Sequence, residues 1–327
     1  MLIRIIVASL SHPANTIVMA ISSKVMRSAW SLIEDMAPSI TAKLYADILD
    51  KKGWRTRFAP SPTGFLHLGH AYAAYVAWQI AGENPNNFLL RIDDLDYTRC
   101  SDKYIKQLKS DLEWLDISWS VREIYQSQRL RRYSQALQTL LEADLIYPCY
   151  LSRAEISDFL SPPSAKQIQQ PHTRGSLSQK EILQRQQQGI KPALRLDMSK
   201  AVEKVGEVSW TCLDGLIMRA EPTKYGDIIV GRRDITACYH LSVVLDDADT
   251  NIEVVTRGED LRSSTDIHCL LQKLLGLPSP FYFHHPIILG EDGKKLSKRH
   301  KSPSLNSLRD TNITLKNILK KELVINF

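Results

Sequence analysis

His67 and His70 stand three residues apart with Gly69 between them, and their setting gives that spacing chemical meaning. A strand-like Arg57-Phe58-Ala59 runs into a turn marked by Pro60, Pro62 and Gly64, and an apolar helix is predicted over 71–80, so both imidazoles fall at a loop-to-helix junction. Free N–H groups and the positive end of the helix dipole favour an anion there, and Gly69 lets a ligand approach the backbone without meeting a Cβ. Taken alone, two histidines at this spacing read equally as surface or metal-binding residues. A second chemical stretch lies far downstream. Lys295-Leu296-Ser297-Lys298 follows the turn signal Gly290-Glu291-Asp292-Gly293, which predicts a flexible lysine loop after a Pro286-Ile287-Ile288-Leu289 strand. A third is Phe88-Leu89-Leu90-Arg91-Ile92, a buried-type strand that ends in carboxylates at Asp93, Asp94 and Asp96. At the carboxyl end of a parallel strand an acid can meet an amine or a metal. Asp94 and Asp96 read better as acidic residues ahead of the helix expected from Ser101.

The elements that must position these groups are legible in outline. Helical patterns run over 104–115 and 130–143, with Trp114 and Trp119 expected in the core. The stretch 161–191 carries Pro162, Pro163, repeated Gln and Ser and little apolar periodicity, so it reads as a linker-like insertion whose Arg174, Lys180, Arg185 and Lys191 are simply solvated. A strand and polar turn follow over 226–234. Tyr239 begins an apolar run that ends in Asp246 and Asp247, where a buried core tyrosine is one open reading. Glu253 to Arg257 is a strand leading to a turn at Gly258 and a helix from about Ser263, which puts Arg257 at a strand's carboxyl end. After Lys298 only residues 299–327 remain, with one amphipathic helix predicted over 314–323.

Composition sets the class. A chain of 327 residues that is 43% hydrophobic and 24% charged is an ordinary globular protein, with two domains or one large α/β domain carrying an insertion, and disordered and fibrous classes are excluded. The net charge of +6 suits a polyanionic partner as well as it suits solubility. Five cysteines without a C-x-x-C pair read as thiols in a reducing compartment, which makes the cytoplasm the expected location. No apolar run approaches the roughly 18 residues that a membrane span needs. Residues 1–50 hold no acid before Glu34, the loose composition of a targeting segment, but Arg4 interrupts the apolar start and no cleavage site follows. A presequence, an extension, or a later start at Met19, Met26 or Met36 all stay open, and this segment is given no chemistry.

The histidine and lysine stretches together resemble the two signature motifs of class I aminoacyl-tRNA synthetases, and Arg57-Phe58-Ala59-Pro60-Ser61-Pro62-Thr63-Gly64 resembles the glutamyl/glutaminyl branch. Tyr239 to Asp247 and Val255 to Leu261 are similar to two further elements of that branch, and the resemblance covers about 57–310. It implies an α/β fold, a Rossmann-type doubly wound parallel sheet with an inserted acceptor-binding-like subdomain and a short helical tail. The implied divisions are an extension over 1–50, catalytic halves over 51–145 and 226–310, the insertion over 146–225 and the tail over 311–327. It implies ATP accompanied by Mg²⁺, with His67 and His70 at the triphosphate and ribose, Pro60 and Gly69 beside the nucleotide, and Lys298, helped by Lys295, steadying pyrophosphate. L-glutamate would meet Arg57 and Arg257 through its carboxylates, Tyr239 through a hydroxyl bond and Asp93 through its ammonium. Ser61 and the backbone of Phe58, Ala59 and Pro60 would complete the pocket. Asp93 stands where the family's Arg-Ile-Glu-Asp-x-Asp signature has its first acid, one methylene shorter.

Many relatives carry a zinc site begun by a Cys-x-Cys pair. Here Cys149 keeps one position, Leu151 replaces its partner and no cysteine follows before Cys212; His172 is a weak further ligand, so no bound metal is expected. The short tail cannot fold as an anticodon-reading domain, which makes the chain similar to the truncated glutamyl-queuosine tRNA(Asp) synthetase family. That family activates glutamate and esterifies it to the queuosine base in the anticodon loop of tRNA(Asp). A monomer without membrane attachment is expected. The alternatives are a shortened glutamyl-tRNA synthetase charging tRNA(Glu), a small-molecule nucleotidyltransferase of the same superfamily, and a catalytically silent tRNA-binding module.

Overall fold

The structure is a computed structural model that describes residues 53–120, 122–152, 155–156, 171–234, 237–288 and 304–309. Its first part alternates strand and helix: β1 (Thr56–Phe58), α1 (Leu68–Ile80), β2 (Phe88–Ile92), α2 (Asp102–Trp114), β3 (Ile124–Tyr125), a 3₁₀ turn (Gln126–Arg129) and α3 (Leu130–Glu142). Next come β4 (Ile146–Cys149), α4 (Gln179–Gln187), β5 (Ala193–Leu196), α5 (Met198–Val205), the hairpin β6 (Ser209–Thr211) and β7 (Ile217–Arg219), and β8 (Ile229–Gly231). The alternating pattern then resumes with α6 (Tyr239–Asp249), β9 (Val254–Gly258), α7 (Arg262–Leu274), β10 (Phe281–His285) and α8 (Leu305–Arg309).

The central strands are parallel, with Arg57 opposite Leu89, Arg91 opposite Ile124 and Arg257 opposite His284. Strands of this kind are buried on both faces and so read as unbroken apolar runs; β2 is buried at all five positions. Backbone N–H groups of Glu253 and Val254 donate to the Arg55 carbonyl at 2.9 and 3.2 Å and bring β9 beside β1. The strands therefore lie in the order β3-β2-β1-β9-β10, winding outward in both directions from β1, and the expected doubly wound parallel sheet is what the chain forms. Strand order reverses between β1 and β9, so their carboxyl ends open onto a crevice, the place where such sheets bind ligands.

Helix α1 covers this region because it is apolar on most of its circumference. Tyr72, Tyr75, Val76, Trp78 and Ile80 are all buried, packed with Phe58, Phe88, Leu90 and Val254. It starts three residues earlier than its apolar run suggested, at Leu68, with His67 as the residue that caps it. Trp114 and Trp119 are only partly buried, at the margin of that core, and not inside it. Among the described residues no helix is long and apolar enough to cross a membrane.

Strands β4, β5 and β8 form a separate antiparallel sheet that reaches Gly231. The linker-like reading of 161–191 is corrected in its described part. Ser178 caps α4, its Oγ accepting from the Glu181 N–H while the Glu181 carboxylate accepts from the Ser178 N–H at 2.7 Å. The charges there are paired as well as solvated: Arg174 donates to Asp144 at 3.1 Å and Arg185 to Glu155 at 3.0 Å. A Ser-x-x-Glu signature outweighed the low apolar periodicity. The predicted helix over 314–323, the lysine loop with Lys295 and Lys298, and residues 1–50 lie outside the described residues.

Candidate active site

The crevice between β1 and β9 gathers most of the groups singled out above. Arg57, on β1, is buried and donates Nε to Asp247 Oδ1 at 3.0 Å and Nη1 to the Thr256 carbonyl at 2.9 Å. Phe58 turns its side chain into the core, and the Pro60 carbonyl accepts the Asp93 N–H at 3.1 Å, fastening the proline turn to the end of β2. Ser61 is exposed on that turn.

Asp93 is buried and gripped by Arg91, whose Nε and Nη2 donate to its two oxygens at 2.7 and 3.4 Å. The remaining edge of Arg91 donates Nη1 to Asp247 Oδ1 at 2.5 Å. One carboxylate oxygen of Asp247 thus joins Arg57 and Arg91, which hold it below the usual carboxylate range against the opposing effect of burial. Burial dominates at Asp93 and raises its carboxyl to about 6, with Arg91 pulling in the other direction. Neither Arg91 nor Asp247 was singled out from sequence. A charge inside an apolar strand and a carboxylate closing an apolar helix were the available signals.

Asp94 and Asp96 do not serve the start of α2, as expected of them. Asp94 accepts from Ser127 N and Oγ at 2.8 and 2.6 Å, tying the end of β2 to the 3₁₀ turn after β3. Asp96 holds its own loop through Thr98 and Arg99, both at 2.7 Å.

Arg257, on β9, is the open group of the crevice. It is buried, its guanidinium stands 5.1 Å from the centre of the Tyr282 ring, and its Nη1 donates to His268 Nδ1 at 3.1 Å. Among the described residues no acceptor reaches its Nε or Nη2. Those two nitrogens form one edge of the planar group, the fork that matches a carboxylate. Leaving both buried and unpaired costs about 1–3 kcal/mol each, so the arrangement is poised for an anionic partner. Gly258 follows because a Cβ there would come within 2.5 Å of Asp260 Oδ1. Tyr239, first residue of α6, is exposed and not a core tyrosine; its ring centre lies 5.6 Å from that of His268.

The imidazoles at the start of α1 sit against each other, ring centres 3.7 Å apart. The His67 N–H donates to His70 Nδ1 at 3.2 Å, so His70 carries its proton on Nε2 when neutral. A Cβ on Gly69 would meet the His67 ring at 3.1 Å, so this glycine makes room for the imidazole stack. His67 also bridges to Ser304, and the Leu305 N–H donates to the Leu66 carbonyl at 2.8 Å, which lays the residues after the lysine stretch against this junction.

A metal has little to hold it in the crevice, since Asp93, Asp246 and Asp247 all face arginines. Cys149 is buried and its Sγ accepts from Thr173 Oγ1 at 3.4 Å. His172 approaches Asp197 and Asp227, not Cys149, with donor atoms within 4.8 Å of one another. Both carboxylates have structural partners: Asp197 caps α5 at Lys200 N, and Asp227 accepts from Met198 N at 2.9 Å and from the Tyr147 hydroxyl at 2.6 Å.

Comparison with known proteins agrees with this geometry. The family described as tRNA synthetases class I (E and Q), catalytic domain, matches residues 54–320. A glutamyl-Q tRNA(Asp) synthetase of Rhodobacter capsulatus is 42% identical over 261 residues, covering 78% of this chain and 94% of that protein. A glutamate–tRNA ligase of Burkholderia ambifaria is 36% identical over 260 residues, covering 78% of this chain and 54% of that protein, so the chain spans about half the length of such ligases. The crystal structure of a glutamate tRNA ligase from Elizabethkingia meningosepticum, in complex with its amino acid, superposes with a TM-score of 0.62 at 26% identity, over 76% of this chain and 52% of that one. Parallel sheet, crevice and matched length together place this chain in the class I tRNA synthetase family, within the catalytic-domain group for E and Q.

Proposed function

We propose that the chain activates L-glutamate with ATP and transfers the glutamyl group to the queuosine base in the anticodon loop of tRNA(Asp). The observation that carries the glutamate reading is the buried Arg257 fork, open beside Arg57 at the switch point of the sheet. In the first step a glutamate carboxylate oxygen attacks the α-phosphorus of ATP, the bond to the β-phosphate breaks, and glutamyl-adenylate and pyrophosphate result. Positioning and neutralisation of charge supply the acceleration, and no protein nucleophile takes part. Arg257 takes one carboxylate through two parallel bonds, and Arg57, whose Nε and Nη1 are engaged, offers its Nη2 edge to the other. Asp93 pairs with the ammonium and Tyr239 adds a hydroxyl bond. The backbone from Phe58 to Ser61 closes the pocket. His67, His70 and the start of α1 receive the phosphates, Pro60 and Gly69 border the nucleotide, and Lys295 and Lys298 meet the departing pyrophosphate. Mg²⁺ enters with ATP, held chiefly by phosphates and water.

The queuosine acceptor is favoured by the higher identity to the Rhodobacter glutamyl-Q tRNA(Asp) synthetase and by the 94% of that protein that the match covers. The five free thiols fit a reducing compartment such as the cytoplasm. The test is transfer of labelled glutamate, with ATP, to total tRNA from queuosine-containing and queuosine-lacking cells. Label in the first alone is expected. Equal label in both would replace this reading with charging of tRNA(Glu), and label in neither would remove glutamate transfer altogether.

Asp93 gives this reading a pH signature. Its folded-state value near 6 lies above the usual carboxyl value, so it is ionised and able to pair with an ammonium only above about pH 6. The sign for stability is the reverse: the folded chain holds this proton more tightly than the unfolded one, so stability from this group is present below the unfolded value and lost as pH rises toward 6. We expect kcat/KM for glutamate in pyrophosphate exchange to fall about tenfold per pH unit below that point, and Asp93→Asn to flatten the limb at a lower level. An acid limb unchanged in the Asn variant would assign it elsewhere.

A further inference from the structure

Arg257 can bind a carboxylate as a fork only if its plane is turned the right way, and one side chain sets that plane. His268, buried on α7, meets Nη1 of Arg257 with its Nδ1 at 3.1 Å, on the edge opposite the open Nε and Nη2. A guanidinium has donors and no acceptor, so His268 Nδ1 must be the unprotonated nitrogen. The proton of the neutral ring is then on Nε2, which lies 3.1 Å from His240 Nδ1 and donates to it. The chain of bonds runs from Arg257 to His268 to His240, each donor facing an acceptor. It ends on α6 next to Tyr239, whose ring centre is 5.4 Å from that of His240.

We propose that His268 is a positioning residue for glutamate recognition: as a neutral imidazole protonated on Nε2, it anchors the far edge of Arg257 and aims the Nε/Nη2 fork at the substrate carboxylate. This rests on the reading that Arg257 binds glutamate. The surroundings keep the ring neutral, because burial first, and the Arg257 charge next, hold its value well below that of a free histidine. A protonated His268 would turn an N–H toward an N–H. Arg257 without the anchor keeps the Tyr282 face beneath it but loses the contact that fixes rotation of its plane.

The test is ATP–pyrophosphate exchange by the full chain, with total tRNA present, measured against glutamate and against ATP. His268→Leu and His268→Met remove the acceptor with two different apolar shapes, so one folded variant suffices. His268→Asn places a carbonyl oxygen near the position of Nδ1. We expect the apolar variants to raise KM for glutamate about tenfold, leave KM for ATP and kcat within about twofold, and narrow the preference for glutamate over glutamine. His268→Asn should restore most of the glutamate KM. A folded apolar variant with unchanged KM for glutamate, or an Asn variant no better than Leu, would overturn the role. Absence of glutamate-dependent exchange in the wild-type chain would instead strike the glutamate reading on which it rests.

Discussion

Arg257→Lys is expected to lower kcat/KM for glutamate about a thousandfold while the KM for ATP stays within about threefold. Lysine keeps the positive charge and loses the planar fork, so the comparison isolates bidentate geometry from charge alone. Two charge-assisted bonds to a buried carboxylate are worth about 1.5–3 kcal/mol each, and their combined loss of about 4 kcal/mol corresponds to that factor. The loss is not softened by solvent, because Arg257 is buried and its open nitrogens have no other acceptor among the described residues. The defect should persist at saturating ATP in pyrophosphate exchange. A Lys variant within about threefold of the wild type would remove the fork from recognition and leave Arg257 as a charge near the site.

Asp247→Ala should be the most destabilising single change in the crevice. One oxygen of Asp247 holds Arg57 and Arg91 together, and all three side chains are at least nine-tenths buried. Removing it leaves two buried guanidinium groups short of an anion, a defect that costs about 3–5 kcal/mol. Arg91 retains Asp93 and a longer approach to Asp246 at 3.8 Å, and Arg57 retains, among the described residues, the Thr256 carbonyl. For a chain of this size the melting temperature is expected to drop by about 4–7 °C. Asp249→Ala is the control, because Asp249 pairs with Arg129 and Arg132 where water screens all three, and its loss should cost less than about 1 kcal/mol. Equal melting of the two variants would show that the buried triad carries no special share of the stability. Residual glutamate activation in Asp247→Ala is expected to fall as well, since Asp247 holds Arg57 directly and Asp93 through Arg91.

The groups that could be read from sequence are those carried by a local signal. Arg257 stands near a strand's carboxyl end and His67 and His70 stand where a turn meets a helix, whereas the doubly wound parallel sheet is what the resemblance to class I synthetases implies. The groups that could not be read owe their roles to partners far along the chain. Arg91 meets Asp247 across 156 residues, and Arg57 meets it across 190. His268 sits on a helix face that reads as core, and only the tertiary structure places its Nδ1 on Arg257. The close approach of the His67 ring to Gly69, 3.1 Å from where a Cβ would stand, shows only in the folded chain. Helix α4 was missed for a different reason: Ser178 and Glu181 are a local start signal, but the polar helix that follows buries no side chain fully, so its periodicity is faint.

The joint between β1 and β9 has a consequence for how this protein comes to exist in the cell. Arg57 is made early in synthesis, and Arg257 follows only after β4, β5 and β8 of the antiparallel sheet have been translated. No contiguous fragment ending before β9 contains both walls of the crevice, so the crevice is complete only once β9 lies along β1. Asp247, late in the chain, neutralises Arg57 and Arg91 of the first strands in the finished fold. A ligand that spans the crevice would therefore report that both of its walls are in place.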